Sequence, residues 1–510
     1  MQQPAIQEPI STSPARDGQR GMVARWKLVV GLLSGPVGSG LVYWAPLPSL
    51  SPAAHTLATI IVWVVLYWIT EPIPLPVTAL LGTVFCVLSG LGTVKSVFAP
   101  YAHPIIFLFL GSFLLAEAMA VHGVDRRLAI RMLALPWTNA RPSRILLALG
   151  AVTAVISMWI SNTAAAALML PSALGTLTAL RESSGDHLGS YQIGLMIMLS
   201  YAATAGGMTT LIGTPPNMLG VGLIAQQAGT SMSFLSWIAI GLPLGILLLF
   251  VGWALLLWLH PARTPVVPDL ERQLSAQRAA LGPWTRGQIN ACVAFGMAVV
   301  LWIVPGIIIA VMGVNSPTGR WLAVHLPPEV VALLAAGMLF VLPVQFATGE
   351  FTLTWRQATR INWGILLLFG GGLAFGYLMV DTGLARAIGA GFVGGLGAQG
   401  VWSLTAIAIL VAVLISELVA NTATAAMLVP VVIAIAQSAG VSPIPPALGA
   451  TLGASLGFAL PVSTPPNAIV YGTGLVPLGS MIRAGLFFDL LGAALIWVTL
   501  RVLCPILGLG

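Results

Sequence analysis

Two polar clusters interrupt the longest apolar stretches of this 510-residue chain. Ser161-Asn162-Thr163 is followed by Leu168-Met169-Leu170-Pro171, and Ala420-Asn421-Thr422 by Met427-Leu428-Val429-Pro430. Downstream of each stands a second break, Gly213-Thr214-Pro215-Pro216-Asn217 and Ser463-Thr464-Pro465-Pro466-Asn467. Two consecutive prolines remove two N–H donors and interrupt a helical ladder. The four segments therefore offer hydroxyls, side-chain amides and free backbone N–H and C=O groups, and none carries Lys or Arg. Helix N-termini with Asn and Thr donors suit carboxylate oxygens. Freed carbonyls with Ser and Asn oxygens suit Na⁺, a hard cation. An anion held without fixed positive charge needs a co-bound cation or unusually good dipoles, so this chemistry pairs a small anion with Na⁺.

The elements that carry these residues are membrane helices. Hydrophobic residues make up 58% of the chain and charged residues 7%, against about a quarter charged in soluble domains, and the mean hydropathy is +0.97. Apolar stretches near the ~20 residues that cross a bilayer run over 27–46, 53–71, 76–94, 103–122, 190–224, 236–259, 288–312, 329–345, 362–381, 446–475 and 484–507. The stretches 145–180 and 402–438 differ: each has two short arms around a polar tip, which predicts re-entrant hairpins. The Thr-Pro-Pro-Asn breaks fall within the spans 190–224 and 446–475, and irregular backbone at membrane depth is tolerated only where it is buried or lines a watery cavity. Gly206-Gly207 and Gly453/Gly457 precede the breaks and are expected to ease the bends.

The landmarks recur in the same order. Gly111-Ser112-Phe113 through Gly123 resembles Gly371-Gly372-Leu373 through Gly383, followed in each half by the polar tip and the Pro-Pro break. Five spans per half put the second copy in from the opposite side, an inverted-topology repeat whose site lies where the halves meet. The expected organisation is a cytoplasmic tail at 1–26, a first transmembrane helix at 27–52, repeat one at 53–259, a cytoplasmic linker at 260–287 and repeat two at 288–510. The fold class is thus an all-α polytopic membrane protein with eleven transmembrane helices and two re-entrant hairpins.

With the N-terminus cytoplasmic, the basic residues divide strongly between the two faces. Arg126, Arg127, Arg131, Arg263, Arg286, Arg356, Arg360 and most other basic residues fall inside, and only Lys95, Arg320, Arg386 and Arg501 fall outside. The positive-inside rule then explains the net charge of +7 without a nucleic-acid partner, and places the C-terminus outside a cell inner membrane. Residues 1–21, with Pro4, Pro9 and Pro14, read as a polar tail rather than a cleaved signal. Cys86, Cys292 and Cys504 lie far apart in apolar surroundings and read as buried small residues.

Other patterns carry less. Gly453-Ala454-Ser455-Leu456-Gly457 matches a nucleophile elbow but lies in an apolar helical run without a strand-to-helix turn, and the six histidines show no metal-ligand spacing. An enzyme is not expected. Glu117, Glu417 and Asp489 are intramembrane carboxylates and functional candidates on that ground. Glu117 stands near a span end, Glu417 four residues before Asn421, and Asp489 has no assignable partner.

From about Trp63 to Leu507 the chain resembles the divalent anion/sodium symporter family of dicarboxylate and citrate carriers. The resemblance rests on Trp68-Ile69-Thr70-Glu71-Pro72-Ile73-Pro74, the paired Asn-Thr tips and both Thr-Pro-Pro-Asn breaks. It implies eleven spans, two hairpins, a homodimer, an elevator-like motion and Na⁺ as coupling ion, with no organic cofactor. By motif position it implies one sodium site from Ser157, Ser161, Asn162 and the Gly213 backbone. A second would use Ser416, the Val419 backbone, Asn421 and the Ser463 backbone. Substrate would meet Ser161, Asn162, Thr163, Thr214, Asn421, Thr422 and Thr464. An acidic residue at Glu417 fits the family and suggests bracing of the hairpin, with proton coupling as the alternative. Ala420 departs from the pattern, which expects a serine. The expectation is a secondary carrier for small di- or tricarboxylates in the lipid bilayer, coupled to Na⁺. A carboxylate exchanger and a sulfate or other oxyanion carrier are the alternatives within the superfamily.

Overall fold

The structure, a computed structural model, describes residues 14–133, 141–184, 190–261, 279, 281–396 and 400–509. The tail up to residue 13 and most of the 260–287 linker, with Arg263, Asp269, Glu271, Arg272 and Arg278, lie outside them. The first helix, α1 (Pro14–Trp44), begins at Pro14 rather than at residue 27. It is followed by α2 (Pro52–Thr70) and α3 (Leu75–Leu88). The Trp68–Pro74 motif is the stop between these two: Glu71 caps α2 in the left-handed conformation at φ 45°, and Pro72 and Pro74 prevent continuation. A short turn at 94–102 leads into α4 (Pro104–Val121) and α5 (Val124–Leu133).

The first polar tip separates α6 (Pro142–Ser157) from α7 (Asn162–Ser184), and the first Pro-Pro break separates α8 (Tyr191–Thr209) from α9 (Pro215–Ala228). Helix α10 (Phe234–Leu259) completes this half. The second half runs through α11 (Arg286–Met312), α12 (Pro317–His325), α13 (Pro328–Leu339) and a two-stranded ribbon, β1 (Pro343–Gln345) with β2 (Glu350–Phe351). It continues as α14 (Trp363–Asp381), α15 (Leu384–Leu396), α16 (Val401–Ser416), α17 (Asn421–Ser438), α18 (Ile444–Gly453), α19 (Pro465–Gly472) and α20 (Leu478–Ile506).

Among the described residues, seven helices are long and apolar enough to cross a membrane, and an eighth span results if α12 and α13, bent by 56°, count as one. This is fewer than the eleven read from hydropathy. A window of apolar residues does not register where a helix stops. The span at 76–94 falls on the 14 residues of α3, about 21 Å long against a ~30 Å hydrocarbon core. Those at 190–224 and 446–475 are each divided into two helices, and 329–345 ends in the ribbon. Helix α17, which falls in the stretch 402–438 expected to form a hairpin, is long enough to qualify alone. The ribbon, α12 and the short helices α5 and α15 were not anticipated as elements.

Large apolar side chains such as Leu41, Trp44, Trp258, Val311, Leu414 and Ile506 are exposed on the outer surface, a surface that lipid accepts and water does not. Inside, small residues bring helices together. A Cβ on Gly111 of α4 would lie 2.6 Å from the Ala332 backbone of α13, and one on Gly371 of α14 would lie 2.6 Å from Ala79 Cβ of α3. The two contacts are counterparts in the repeat.

Gly206 and Gly207 serve the same purpose, not bending as expected: both lie within α8, where added Cβ atoms would strike Ala154 O and Asn162 Oδ1, each at 2.1 Å. On the basic face, the buried Arg127 of α5 donates from Nη2 to the carbonyls of Gly282 and Pro283 at 3.0 and 2.9 Å, and Trp284 lies under both Arg127 and Arg131.

Candidate functional site

The Pro-Pro segments start helices rather than kink them. Thr214 and Thr464 are the residues that precede α9 and α19, in extended conformation, and the prolines fill the first helical positions, where an N–H would lack an intrahelical partner anyway. Asn162 and Asn421 likewise open α7 and α17. Four helix N-termini thus converge, each with the positive end of its dipole; α7 and α17 also bring first-turn N–H groups, whereas at α9 and α19 the prolines have none and the amides of Asn217 and Asn467 donate to Thr214 O and Thr464 Oγ1.

They converge on one cavity of about 630 Å³. All seven residues expected to meet the anion line it: Ser161, Asn162, Thr163, Thr214, Asn421, Thr422 and Thr464. Ser463, Ala420 and the four prolines of the breaks line it as well. The remaining wall comes from the C-terminal half of α4, at Phe113 and Glu117, from Asp125 of α5, and from Arg360 to Ile365 at the start of α14. The cavity thus meets the C-terminal half of α4 but the N-terminal end of α14, the arrangement expected of an inverted repeat.

The hydroxyls behind the tips are fixed twice over. Ser157 Oγ donates to Asn162 Oδ1 at 2.9 Å and is within hydrogen-bond distance of Ala203 O at 2.6 Å. Ser416 Oγ stands at 2.9 Å from Asn421 Oδ1 and 2.7 Å from Ala454 O. Both serines are fully buried, so each tip asparagine is held from behind by the last residue of the preceding helix. Gly213 approaches Gly207 so closely that a Cβ on it would lie 2.5 Å from Gly207 O. Gly207 in turn packs on Asn162, whose Oδ1 would lie 2.1 Å from a Cβ added there. In the second half, Val419 lies in the turn between α16 and α17, the turn in which Ser416 bonds Asn421 and Glu417 bonds Ser463. Every donor set is made of oxygen atoms, which is what a hard monovalent cation takes.

The break asparagines have a separate task that their sequence position did not reveal. Asn217 Nδ2 donates to Gly207 O and Thr210 O at 2.9 and 2.8 Å, and Asn467 Nδ2 to Gly457 O and Leu460 O at 3.0 Å each. Both are fully buried. They satisfy carbonyls that the unwound segments free, which is the condition for irregular backbone at membrane depth. Asn467 Oδ1 also accepts from Ser200 Oγ.

Glu417 holds the second hairpin to the second break. Its Oε1 accepts from Ala459 N at 3.0 Å and its Oε2 from Leu460 N and Ser463 Oγ at 3.2 and 2.8 Å. The next amide along, Phe458 N, donates to Asp489 Oδ2 at 3.3 Å, so Asp489 on α20 has the partner that could not be assigned from sequence. Ser463 Oγ is also within hydrogen-bond distance of Glu417 O at 2.9 Å, while in the first half Thr210 Oγ1 donates to Met158 O. Met158 thus stands where Glu417 would be expected by symmetry, and the carboxylate brace belongs to one half only. Glu117 is half-buried and faces the cavity.

A family model described as the sodium:sulfate symporter transmembrane region matches residues 27–509. The chain is 30% identical over 492 residues to the sodium-dependent dicarboxylate transporter SdcS of Staphylococcus saprophyticus, covering 94% of this chain and 92% of that protein. It is 31% identical over 497 residues to the protein of the same name in Staphylococcus aureus, covering 94% and 91%. Among solved structures, the YdaH transporter of Alcanivorax borkumensis superposes with a TM-score of 0.52 at 16% identity over 83% of this chain and 88% of that one. MtrF of Neisseria gonorrhoeae gives 0.52 at 14% identity over 82% and 84%. At these identities the two structures speak for the fold alone. With matched landmarks in both halves and a family match that spans nearly the whole chain, the protein belongs to the sodium:sulfate symporter family of membrane transporters.

Proposed function

We propose that the protein is a secondary active carrier that couples Na⁺ to the movement of small di- or tricarboxylate anions. The observation that carries the reading is the convergence of four helix N-termini and two Asn-Thr tips on one cavity whose tips hold no cationic side chain. A dianion at tips without a cationic side chain needs unusually good dipoles or a co-bound cation, and Na⁺ placed behind the tips supplies that charge. In this reading Ser157, Ser161, Asn162 and Gly213 hold one ion, and Ser416, Val419, Asn421 and Ser463 the other. The anion meets Ser161, Asn162, Thr163, Thr214, Asn421, Thr422 and Thr464. Because each asparagine serves both an ion set and the anion, filling one favours the other. The names of the staphylococcal relatives support sodium and dicarboxylates. The family description favours sulfate as a second reading, and a small oxyanion would use the same donors.

The same reading assigns eleven crossings, with α6–α7 and α16–α17 as hairpins that enter and leave on one face, and repeats at 53–259 and 288–510. The cavity lies between the hairpin bundle and a frame that includes α4 and α14, which suits an elevator-like displacement of one past the other, in a homodimer. The basic helix α5 borders the cavity, so by the positive-inside rule this conformation opens to the cytoplasm, with the C-terminus outside. The test is radiolabelled succinate uptake into proteoliposomes under an inward Na⁺ gradient, with K⁺ in its place, and with unlabelled succinate inside. Uptake that needs the Na⁺ gradient is expected. Uptake that needs only internal succinate makes the protein an exchanger, and uptake of sulfate but not succinate moves it to the second reading.

A further inference from the structure

The cavity wall carries one positive charge, which the polar tips lack: Arg360, the only Lys or Arg among the described residues that line it. It lies three residues before α14, in the connection after the turn Trp355–Ala358. Its side chain is exposed. Glu117 and Asp125 line the same cavity, yet among the described residues neither they nor any other carboxylate is in ion-pair contact with Arg360. A cation that faces a cavity of anion-seeking N-termini without a carboxylate partner is available to an anion.

Its place in the fold makes that contact one-sided. Arg360 stands on the frame, at the N-terminal end of the spanning helix α14, not on the hairpins or breaks. Aligning Gly371 on Gly111 puts Pro100 opposite Arg360, so the inverted repeat supplies no matching cation on the other face. There, at the N-terminal end of α4, a second cavity of about 460 Å³ is lined by His103, Ile105, Trp302 and Glu329, with no Lys or Arg among the described residues that line it.

We propose that Arg360 is a specificity-determining residue that contacts the anion only from the basic face of the membrane. It is the guanidinium that distinguishes dianions from monoanions on that side. The inference rests on the carrier reading above. A unit charge at about 6 Å in a water-like medium is worth roughly a threefold change in affinity per anion charge, hence about tenfold for a dianion. A guanidinium stays protonated, and keeps this attraction, at any pH a cell reaches.

The test compares wild type, Arg360→Gln and Arg360→Lys in right-side-out and inside-out membrane vesicles, at low salt, with succinate as dianion and lactate as monoanion. Arg360→Gln should raise the succinate KM about tenfold in inside-out vesicles and leave it unchanged in right-side-out ones. The lactate inhibition constant should shift about threefold at most. Arg360→Lys should restore most of the loss, and half-saturation by Na⁺, measured at saturating succinate, should stay at the wild-type value, which a folding defect would not allow. An equal shift from both sides, no shift, a shift confined to right-side-out vesicles, or failure of Lys to restore the KM overturns the proposal. Wild type inert toward succinate in both vesicle types rejects the carboxylate reading instead, and the same variants are then compared with sulfate, where the same one-sided shift is required.

Discussion

Replacing Asn467 by Ala removes a side chain with three partners: Gly457 O, Leu460 O and Ser200 Oγ. Asn217→Ala removes two, Gly207 O and Thr210 O, because Asn217 Oδ1 has no partner among the described residues. Side-chain hydrogen bonds in a membrane interior average about 0.6 kcal/mol, so the losses come to roughly 2 kcal/mol for Asn467→Ala and about 1 kcal/mol for Asn217→Ala. Both sites are fully buried, and water cannot take over the orphaned carbonyls, which keeps these figures at the low end. The assay is thermal unfolding of the purified variants in detergent, followed by succinate KM in proteoliposomes at equal folded protein. Asn467→Ala should lower the midpoint more than Asn217→Ala, and the KM of each should stay within about threefold of wild type. A wild-type midpoint with a KM raised tenfold or more would mean that these side chains bind the anion, and the reasoning that makes them clamps of the break would fail.

Ala420 precedes α17 with no side-chain cap, while Ser161 Oγ, its counterpart, accepts from Ala164 N at 3.2 Å. Ala420→Ser should raise the unfolding midpoint, a helix cap being worth about 1 kcal/mol, and tighten dicarboxylate binding as measured by calorimetry; unchanged affinity would show that the hydroxyl does not reach the anion. Gly207→Ala places a Cβ where Asn162 Oδ1 now lies, 2.1 Å away, so uptake should fall by more than tenfold while the protein still reaches the membrane in immunoblots; wild-type uptake would dismiss the close contact. Ser157→Ala frees Asn162 from behind, and the Na⁺ concentration for half-maximal uptake should rise severalfold with little change in Vmax; a change in Vmax alone would place Ser157 outside the ion site.

Much of this site was legible because the chemistry is written in local motifs. Asn162, Asn421, Thr214 and Thr464 each open a helix or precede one, and proline pairs after a threonine mark that start in any sequence. The repeat could be read because its landmarks keep their order. What could not be read depends on which helices touch. Gly206 and Gly207 look like hinges in the sequence and turn out to be places where α6 and the α7 tip press against α8. Asn217 and Asn467 look like ligands beside Thr214 and Thr464, yet their amides turn back to carbonyls ten and seven residues earlier. Arg360 read as one more inside charge, because a count of loop charges does not say which loop borders the cavity. The count of long apolar helices differs from the count of apolar stretches for a related reason: hydropathy averages over the ends of α3 and over both breaks, where backbone geometry rather than composition decides.

The central claim is that one cavity binds the anion and Na⁺ together, and equilibrium binding tests it without the complications of transport. Succinate affinity would be measured on the purified protein across a Na⁺ titration at constant ionic strength, with K⁺ as the balancing ion. The account predicts that Na⁺ lowers the Kd for succinate, that succinate tightens Na⁺ by the same factor, and that Asn162→Ala and Asn421→Ala weaken both. A succinate Kd that is the same in K⁺ as in Na⁺ would contradict it.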